Sequence, residues 1–294
     1  MITETKKQII IARAQAIRTS IIEMLVAAGS GHTAGPLGMA DVFALLYSHA
    51  LRHDPKNPLW EERDRLVLSN GHICPVQYAA MAHAGYFPVE ELKTLRKLHS
   101  RLQGHPHREY LPGIEVSSGP LGSGVSQAVG MAIADRMKNG RNSPVYVYAL
   151  TGDGELNCGV VWEAAMLAAR ERLQNLIVIV DRNGIQIDGY TWDVMPLEPL
   201  VQKWHSFGWH VVEADGHNIE QLDEAIGEAK SVNDKPSVII AHTIPGKGVQ
   251  EFERDYRWHG KPPNKEEGDR ALKQLRTFSG QVCNDHEWDH VCTV

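Results

Sequence analysis

Cysteine is scarce in this chain of 294 residues: Cys74, Cys158, Cys283 and Cys292 are scattered without the paired spacing of a metal site. A disulfide framework finds no support, and four reduced thiols of a cytoplasmic protein are expected. Also missing is any uncharged apolar run of about 18 residues, which argues against a membrane-spanning helix. The first residues carry no apolar stretch ending in a small-residue cleavage site, so no secretory leader is expected. Neither sign of charge dominates, since 30 Lys+Arg against 36 Asp+Glu give a formal charge of −6. Such mild acidity offers no electrostatic attraction for nucleic acid or an anionic membrane, and neither is expected as a partner. Internal repeats and low-complexity linkers are absent too. With 43% hydrophobic and 22% charged residues, the composition is that of an ordinary globular chain, long enough to bury a substantial core.

Residues 5–28 place Ile9, Ile10, Ala14, Ile17, Ile21, Met24, Leu25 and Ala28 near helical spacing, and Gly29-Ser30-Gly31 stops that helix. Further helical patterns cover 40–50, 123–138, 158–172 and 218–230. Short runs at 145–150, 176–180 and 237–241 are apolar and rich in β-branched or aromatic residues, which predicts buried strands; Val211-Val212 marks a fourth. Strands alternating with helices predict an α/β fold, with a parallel sheet flanked by helices on both faces. Ligands of such sheets bind beyond the carboxyl ends of the strands. Gly-rich loops at 151–154 and 182–189 follow strands directly. Residues 1–262 are read as one domain, and 263–294 as a helix at 266–278 followed by a loose tail.

The most specific feature is Thr151-Gly152-Asp153-Gly154-Glu155, followed one strand-helix-strand later by Asp181-Arg182-Asn183-Gly184-Ile185; Asp153 and Asn183 are 30 residues apart. A βαβ unit brings the ends of its parallel strands to one edge, so Asp153 and Asn183 can address one spot. A carboxylate, an amide oxygen and a backbone carbonyl suit a hard divalent cation, and Mg²⁺ completes its octahedron with phosphate oxygens and water. Gly154 lets the backbone approach a phosphate, and the helix opening after residue 155 can offer N–H groups to the same anion. Gly-Asp-Gly by itself is usually only a turn. Its pairing with Asp-x-Asn at this interval carries the signal.

This arrangement resembles the thiamine-diphosphate binding motif. By that resemblance Asp153 and Asn183 are metal ligands, and Ile185 gives its carbonyl oxygen. Further segments narrow the likeness to the transketolase family. The stretch from Gly29 to Ala40, with His32 in it, resembles the first histidine loop. Ser69-Asn70-Gly71-His72 is similar to the second, and Gly104-His105-Pro106 to the third. Ser118-Gly119-Pro120-Leu121-Gly122-Ser123-Gly124 resembles the loop that touches the cofactor. Gly246-Lys247-Gly248 with Trp258-His259-Gly260 resembles the segment closing the site. The order is the family's, over residues 10–262. The resemblance implies an enzyme dependent on thiamine diphosphate and Mg²⁺ that moves a two-carbon ketol unit from a ketose, as a sugar phosphate, to an aldose. The cofactor's thiazolium ylid attacks the carbonyl, so proton donors and acceptors must stand near the sugar oxygens. His32 and His259 would take that place, and His105 would hold the donor's terminal hydroxyl. His72 and His259 would bind the diphosphate, with Gly119, Pro120, Leu121, Gly154 and Asn183 completing the cofactor site.

Three departures are visible. His32-Thr33-Ala34-Gly35 stands where the family reads His-Pro-Gly, His107 stands for a glutamate, and Cys158-Gly159 stands where an acid precedes glycine. That acid belongs to a network joining the two active sites of the family's dimer; Glu163 keeps another of its positions. A transketolase also carries two further domains, one of which supplies the glutamate that acts on the aminopyrimidine. The likeness is therefore to the N-terminal subunit of a two-chain enzyme. It implies a pyrimidine-binding chain as partner, with two copies of each. Other readings carry less. Gly122-Ser123-Gly124-Val125-Ser126-Gln127 mimics a dinucleotide fingerprint, but Gln127 occupies the place of the third glycine and no strand precedes it. A 1-deoxyxylulose-phosphate synthase shares Gly-Asp-Gly, yet the Gly-His-Pro and Gly-Pro-Leu-Gly loops favour transketolase. A non-catalytic cofactor-binding orphan is the remaining alternative, and the intact metal pair and four histidines argue against it.

Overall fold

The computed structural model describes residues 2–278. Helix α1 (Glu4–Ala28) opens on Thr3, whose hydroxyl accepts from Lys6 N, and closes on Gly29 in the left-handed region. Two short helices follow, α2 (Ala34–Gly38) and α3 (Ala40–Leu45), the second running into a π-turn over Leu46–Ala50. Then come β1 (Arg65–Leu68), α4 (Cys74–Ala84), α5 (Ser123–Asn139), β2 (Val147–Gly152), α6 (Gly159–Glu171) and β3 (Leu176–Arg182). A small hairpin of β4 (Ile185–Gln186) and β5 (Gly189–Tyr190) leads through α7 (Thr191–Val194) and α8 (Leu200–Ser206) to β6 (His210–Asp215). Helix α9 (Ile219–Ser231), β7 (Ser237–His242) and α10 (Lys265–Phe278) complete the described chain.

The main sheet has five parallel strands in the order β1-β2-β3-β7-β6. Side chains alternate across a strand, and here both faces are covered. Ile177 and Ile179 join a core with residues of α1, α3, α4 and α9. Val178 and Val180 join a second core with residues of α5, α6 and α8. All four are essentially fully buried, and each contributes about 1.5–3 kcal/mol of transfer free energy. A continuous β-branched run is the sequence form of such a doubly covered strand.

The expected α/β architecture is thus the observed one, with all four expected strands present. The first begins at Val147 rather than Val145 and reaches Gly152. The Val211-Val212 pair lies in β6. Strand β1, helix α4 and the β4–β5 hairpin were not expected. Helix α10 packs on α1: Ala271 and Leu275 are buried in the first core, and Gln15 Nε2 donates to Leu275 O. The tail beyond it, with Cys283 and Cys292, lies outside the described residues. Among those residues, no helix is long and apolar enough to cross a membrane. Gly152 pairs with Asp181 at the carboxyl edge of β2 and β3. That register brings the loops carrying Asp153 and Asn183 side by side.

Candidate active site

The floor of the site is built where β2 and β3 end. Asp153 N donates to Asp181 O at 3.1 Å, continuing the ladder past the strands. The Asp153 carboxylate accepts from Gly154 N at 2.7 Å through Oδ1, and from Gly184 N at 2.7 Å and Arg182 Nη1 at 2.9 Å through Oδ2. Gly184 adopts φ 76°, and a Cβ there would lie 3.0 Å from the Trp192 ring, so this approach needs glycine. Asn183 donates from Nδ2 to Asp181 Oδ2 at 2.8 Å and accepts at Oδ1 from Ile185 N at 3.0 Å. Both carboxylates are 1% exposed. Burial raises the Asp153 pKa, against the charge of Arg182. Burial likewise pushes Asp181 up to about 7, against a hydrogen bond from the Thr243 hydroxyl.

Two buried carboxylates with one neighbouring guanidinium leave negative charge without a full partner, a costly state unless a cation is added. The chemistry of the donors fits Mg²⁺: a carboxylate, an amide oxygen and a backbone carbonyl are all hard oxygen ligands. Among the described residues, no group of three or more His, Cys, Asp or Glu could hold a metal alone. A cation on Asp153 and Asn183 therefore needs oxygens from a ligand, as Mg²⁺ with a diphosphate has.

Above this floor stand the imidazoles. The ring centroids of His32 and His72 are 4.9 Å apart, those of His72 and His259 5.1 Å, and those of His32 and His259 5.7 Å. Residues more than 200 positions apart are joined by hydrogen bonds. Gly246 N donates to Ala34 O at 2.8 Å, and Thr33 Oγ1 to Lys261 O at 2.6 Å. The departure from proline at residue 33 thus supplies a hydroxyl that ties the His32 loop to the segment after His259. Burial lowers His32 to about 4, helped by His259, Arg96 and His105; burial alone lowers His259 to about 4. His72 is held well below 6.5 by burial and by the neighbouring His259, His32 and His105. His105 lies further out and is exposed, its pKa lowered by partial burial and Arg96. The Nδ1 atoms of His32 and His259 and Nε2 of Gln186 are buried without a partner. Such orphaned atoms mark a place where a polar ligand can be received.

A cavity of about 340 Å³ joins floor and wall. It is lined by the four histidines His32, His72, His105 and His259, and by Asp153, Gly154, Asn183 and Ile185. Gly119 and Leu121 close one side. Pro120 does not line it: this residue is exposed, and its carbonyl accepts from Ser123 N and Ser123 Oγ, capping the first turn of α5. Residues not singled out from the sequence also line it, among them Asn70, Glu155, Asp181, Gln186 and Ile187. Glu155 is 2% exposed and joins three loops. It accepts from Ser69 Oγ at 2.5 Å, Thr151 Oγ1 at 2.7 Å, Gly152 N at 3.2 Å and Gly122 N. Gly124 is needed in the same place, since a Cβ there would lie 2.6 Å from Ser69 Cα. Each of these residues sits inside or beside a motif already notable, so adjacency to Asp153, Asn183 or His72 was the available signal.

Residues 9–282 match the family described as "Transketolase, thiamine diphosphate binding domain". The chain belongs to that family. It is 44% identical over 263 residues to a 6-deoxy-6-sulfo-D-fructose transketolase subunit of Clostridium sp., covering 90% of this chain and 94% of that one. It is 40% identical to an apulose-4-phosphate transketolase subunit of Actinobacillus succinogenes, with 90% and 95% covered. Against transketolase 2 of Escherichia coli the identity is 41%, covering 89% of this chain but 40% of that one. A transketolase structure from Pichia stipitis superposes with TM-score 0.87 at 35% identity, covering 95% of this chain and 42% of that one. The chain thus spans about two-fifths of the transketolases it matches in these last two cases. The dinucleotide-binding alternative falls with the fold, since the loop into α5 follows no strand of the sheet. Cys158 is half-buried at the amino end of α6, and Glu163 is exposed on that helix.

Proposed function

We propose that this chain is the diphosphate-binding subunit of a two-chain transketolase, which uses thiamine diphosphate and Mg²⁺ to move a two-carbon ketol unit from a ketose to an aldose. One observation carries the reading: a single cavity joins Asp153 and Asn183 at its floor with three imidazoles, all within 5.7 Å of one another, on its wall. Asp153, Asn183 and the Ile185 carbonyl would hold Mg²⁺. His72 and His259 would bind the diphosphate, with Gly154 admitting it close to the backbone. Gly119 and Leu121 would flank the rings, with Pro120 bracing their loop. Bound there, thiamine diphosphate supplies the carbon nucleophile for the ketose carbonyl and the electron sink for the two-carbon fragment. Neutral imidazoles of His32 and His259 each have one N–H and one lone pair, so they can give or take a proton at a sugar oxygen. His105, at the rim, would hold the donor's terminal hydroxyl.

The two relatives matched along nearly their whole length are named subunits of transketolases for a sulfo-sugar and a sugar phosphate. We extend the subunit organisation to this chain, with a pyrimidine-binding partner, two copies of each, a sugar phosphate donor and a cytoplasmic location. Residues 1–262 are taken as the diphosphate-binding domain and 263–294 as an appended helix and tail. Calorimetry tests the site. In the assembled enzyme thiamine diphosphate should bind only with Mg²⁺, and Asp153→Ala or Asn183→Ala should abolish that Mg²⁺-dependent binding without unfolding the chain. Unchanged affinity in both variants would remove the metal assignment.

A further inference from the structure

An asparagine that serves a cation must present its oxygen rather than its nitrogen, and the isolated side chain does not decide which. In this cleft a neighbouring carboxylate decides. Asn183 Nδ2 donates to Asp181 Oδ2 at 2.8 Å, which turns Oδ1 to the opposite side, where it meets Ile185 N at 3.0 Å. A flipped amide would set its oxygen against a carboxylate oxygen and its nitrogen against an N–H, leaving all four groups unpaired. Asp181 is itself held from behind. It is 1% exposed, and its other oxygen accepts from the Thr243 hydroxyl on the loop after β7. The next residue, Ile244, gives its N–H to His217 Nε2 at 2.8 Å. His217 Nδ1 lies 2.8 Å from Asp41 Oδ2, and Asp41 is ion-paired with Arg18 in the interior. The amide is thereby tied to α3 and α1 by hydrogen bonds on either side of the Thr243–Ile244 backbone link.

We propose that Asp181 is a positioning residue: it orients the Asn183 amide so that its oxygen is available to a divalent cation held with Asp153. The inference rests on the metal reading of Asp153 and Asn183. Groups that orient a metal's ligands typically govern its affinity by about 10–100-fold. The test is an electron paramagnetic resonance titration of the full chain with Mn²⁺ and inorganic diphosphate, which reads free metal and requires no turnover. Wild type against Asp153→Ala defines the site. Asp181→Ala should weaken Mn²⁺ about 10–100-fold. Asp181→Asn should stay close to wild type, because its amide oxygen still accepts from Asn183 and its nitrogen can donate to Thr243 Oγ1. In an Asn183→Asp background the two ligand oxygens are equivalent, and Asp181→Ala should cost far less. Thermal melts accompany every variant, and if Asp181→Ala does not fold, Thr243→Val decides: weakened binding supports the inference and unchanged binding overturns it. A loss in Asp181→Asn as large as in Asp181→Ala would assign the effect to charge and overturn it. So would unchanged affinity in Asp181→Ala while Asp153→Ala loses the metal. Wild-type affinity equal to that of Asp153→Ala would overturn the metal reading itself.

Discussion

Burial takes the imidazoles of His32 and His259 from the ordinary 6.5 to about 4, helped at His32 by the neighbouring His259, Arg96 and His105. Two consequences follow from these lowered values. The first concerns stability. Between pH 4 and 6.5 the unfolded chain binds protons that the folded chain refuses, so stability rises with pH across this window. It is full above pH 6.5 and falls as pH drops towards 4, by up to about 1.4 kcal/mol per pH unit for each such histidine. Urea unfolding at pH 7 and pH 5 should show a lower midpoint at pH 5, and His259→Asn should shrink the difference. Equal slopes in wild type and variant would show that His259 is not held neutral by burial. The second concerns turnover. With the partner chain present, His32→Ala or His259→Ala should lower kcat by about 10²–10⁴, the value of a positioned proton donor. His259→Ala should also weaken thiamine diphosphate. Normal turnover at saturating cofactor would make both histidines structural.

The residues proposed to act lie mostly in loops and short turns at the ends of strands, and Glu155 shows what holds those segments in register. Its carboxylate is the shared acceptor for the loop after β1, the loop before α5 and the end of β2. Replacing it by alanine leaves two backbone N–H groups and two hydroxyls without that acceptor. Glu155→Ala should cost about 3 kcal/mol or more, readable by urea denaturation, and Glu155→Gln should cost less. A loss below about 1 kcal/mol would mean that water replaces the carboxylate with little penalty. The same elements show what the sequence made legible. Leu176–Val180 and Ser237–Ala241 are five-residue runs rich in Ile and Val, buried on both faces, and they read as strands. The Gly-Asp-Gly and Asp-x-Asn pair lies at the ends of two such strands, so the floor of the site was legible with them. Strand β1 contributes only Leu66, Val67 and Leu68 after a charged Arg65, too few residues to show a period. Helix α4 is buried all round from Cys74 to Ala82, so it lacks the polar face that betrays a surface helix. The β4–β5 hairpin has two residues per strand and no pattern at all. Arg182 and Thr243 escaped notice for a different reason. Their partners, Asp153 and Asp181, lie 29 and 62 positions away, and only the packed sheet brings them together.

At the scale of the whole molecule, the cavity is one half of a shared site on the proposed reading. It provides oxygen ligands for a cation and imidazoles for sugar oxygens, but no carboxylate on it is proposed to activate the cofactor's aminopyrimidine; that group is assigned to the partner. Exposed apolar side chains also stand at the cavity and elsewhere on the surface. Leu121 and Ile187 are 42% and 62% exposed at the cavity, and Trp192, Val194 and Met195 follow Ile187 closely along the chain, all exposed. On α6, exposed Met166 and Leu167 stand one turn from Glu163, on one helical face. Exposed groups of this kind in water are the mark of an interaction surface. A symmetric assembly with two copies of each chain would cover them around a two-fold axis. The pure chain, given Mg²⁺, thiamine diphosphate, a ketose donor and an aldose acceptor, should therefore show no two-carbon transfer. Addition of the pyrimidine-binding chain should restore it, and Met166→Asp combined with Leu167→Asp should raise the partner concentration needed for half-maximal activity. Self-association of the pure chain decides nothing, because the same apolar surface can pair with itself. Robust transfer by the chain alone, with no second polypeptide detectable by mass spectrometry, would refute the two-chain reading while leaving the transketolase site intact. If the chain also stays inactive with every pyrimidine-binding partner that it binds, the site holds the cofactor without turning it over.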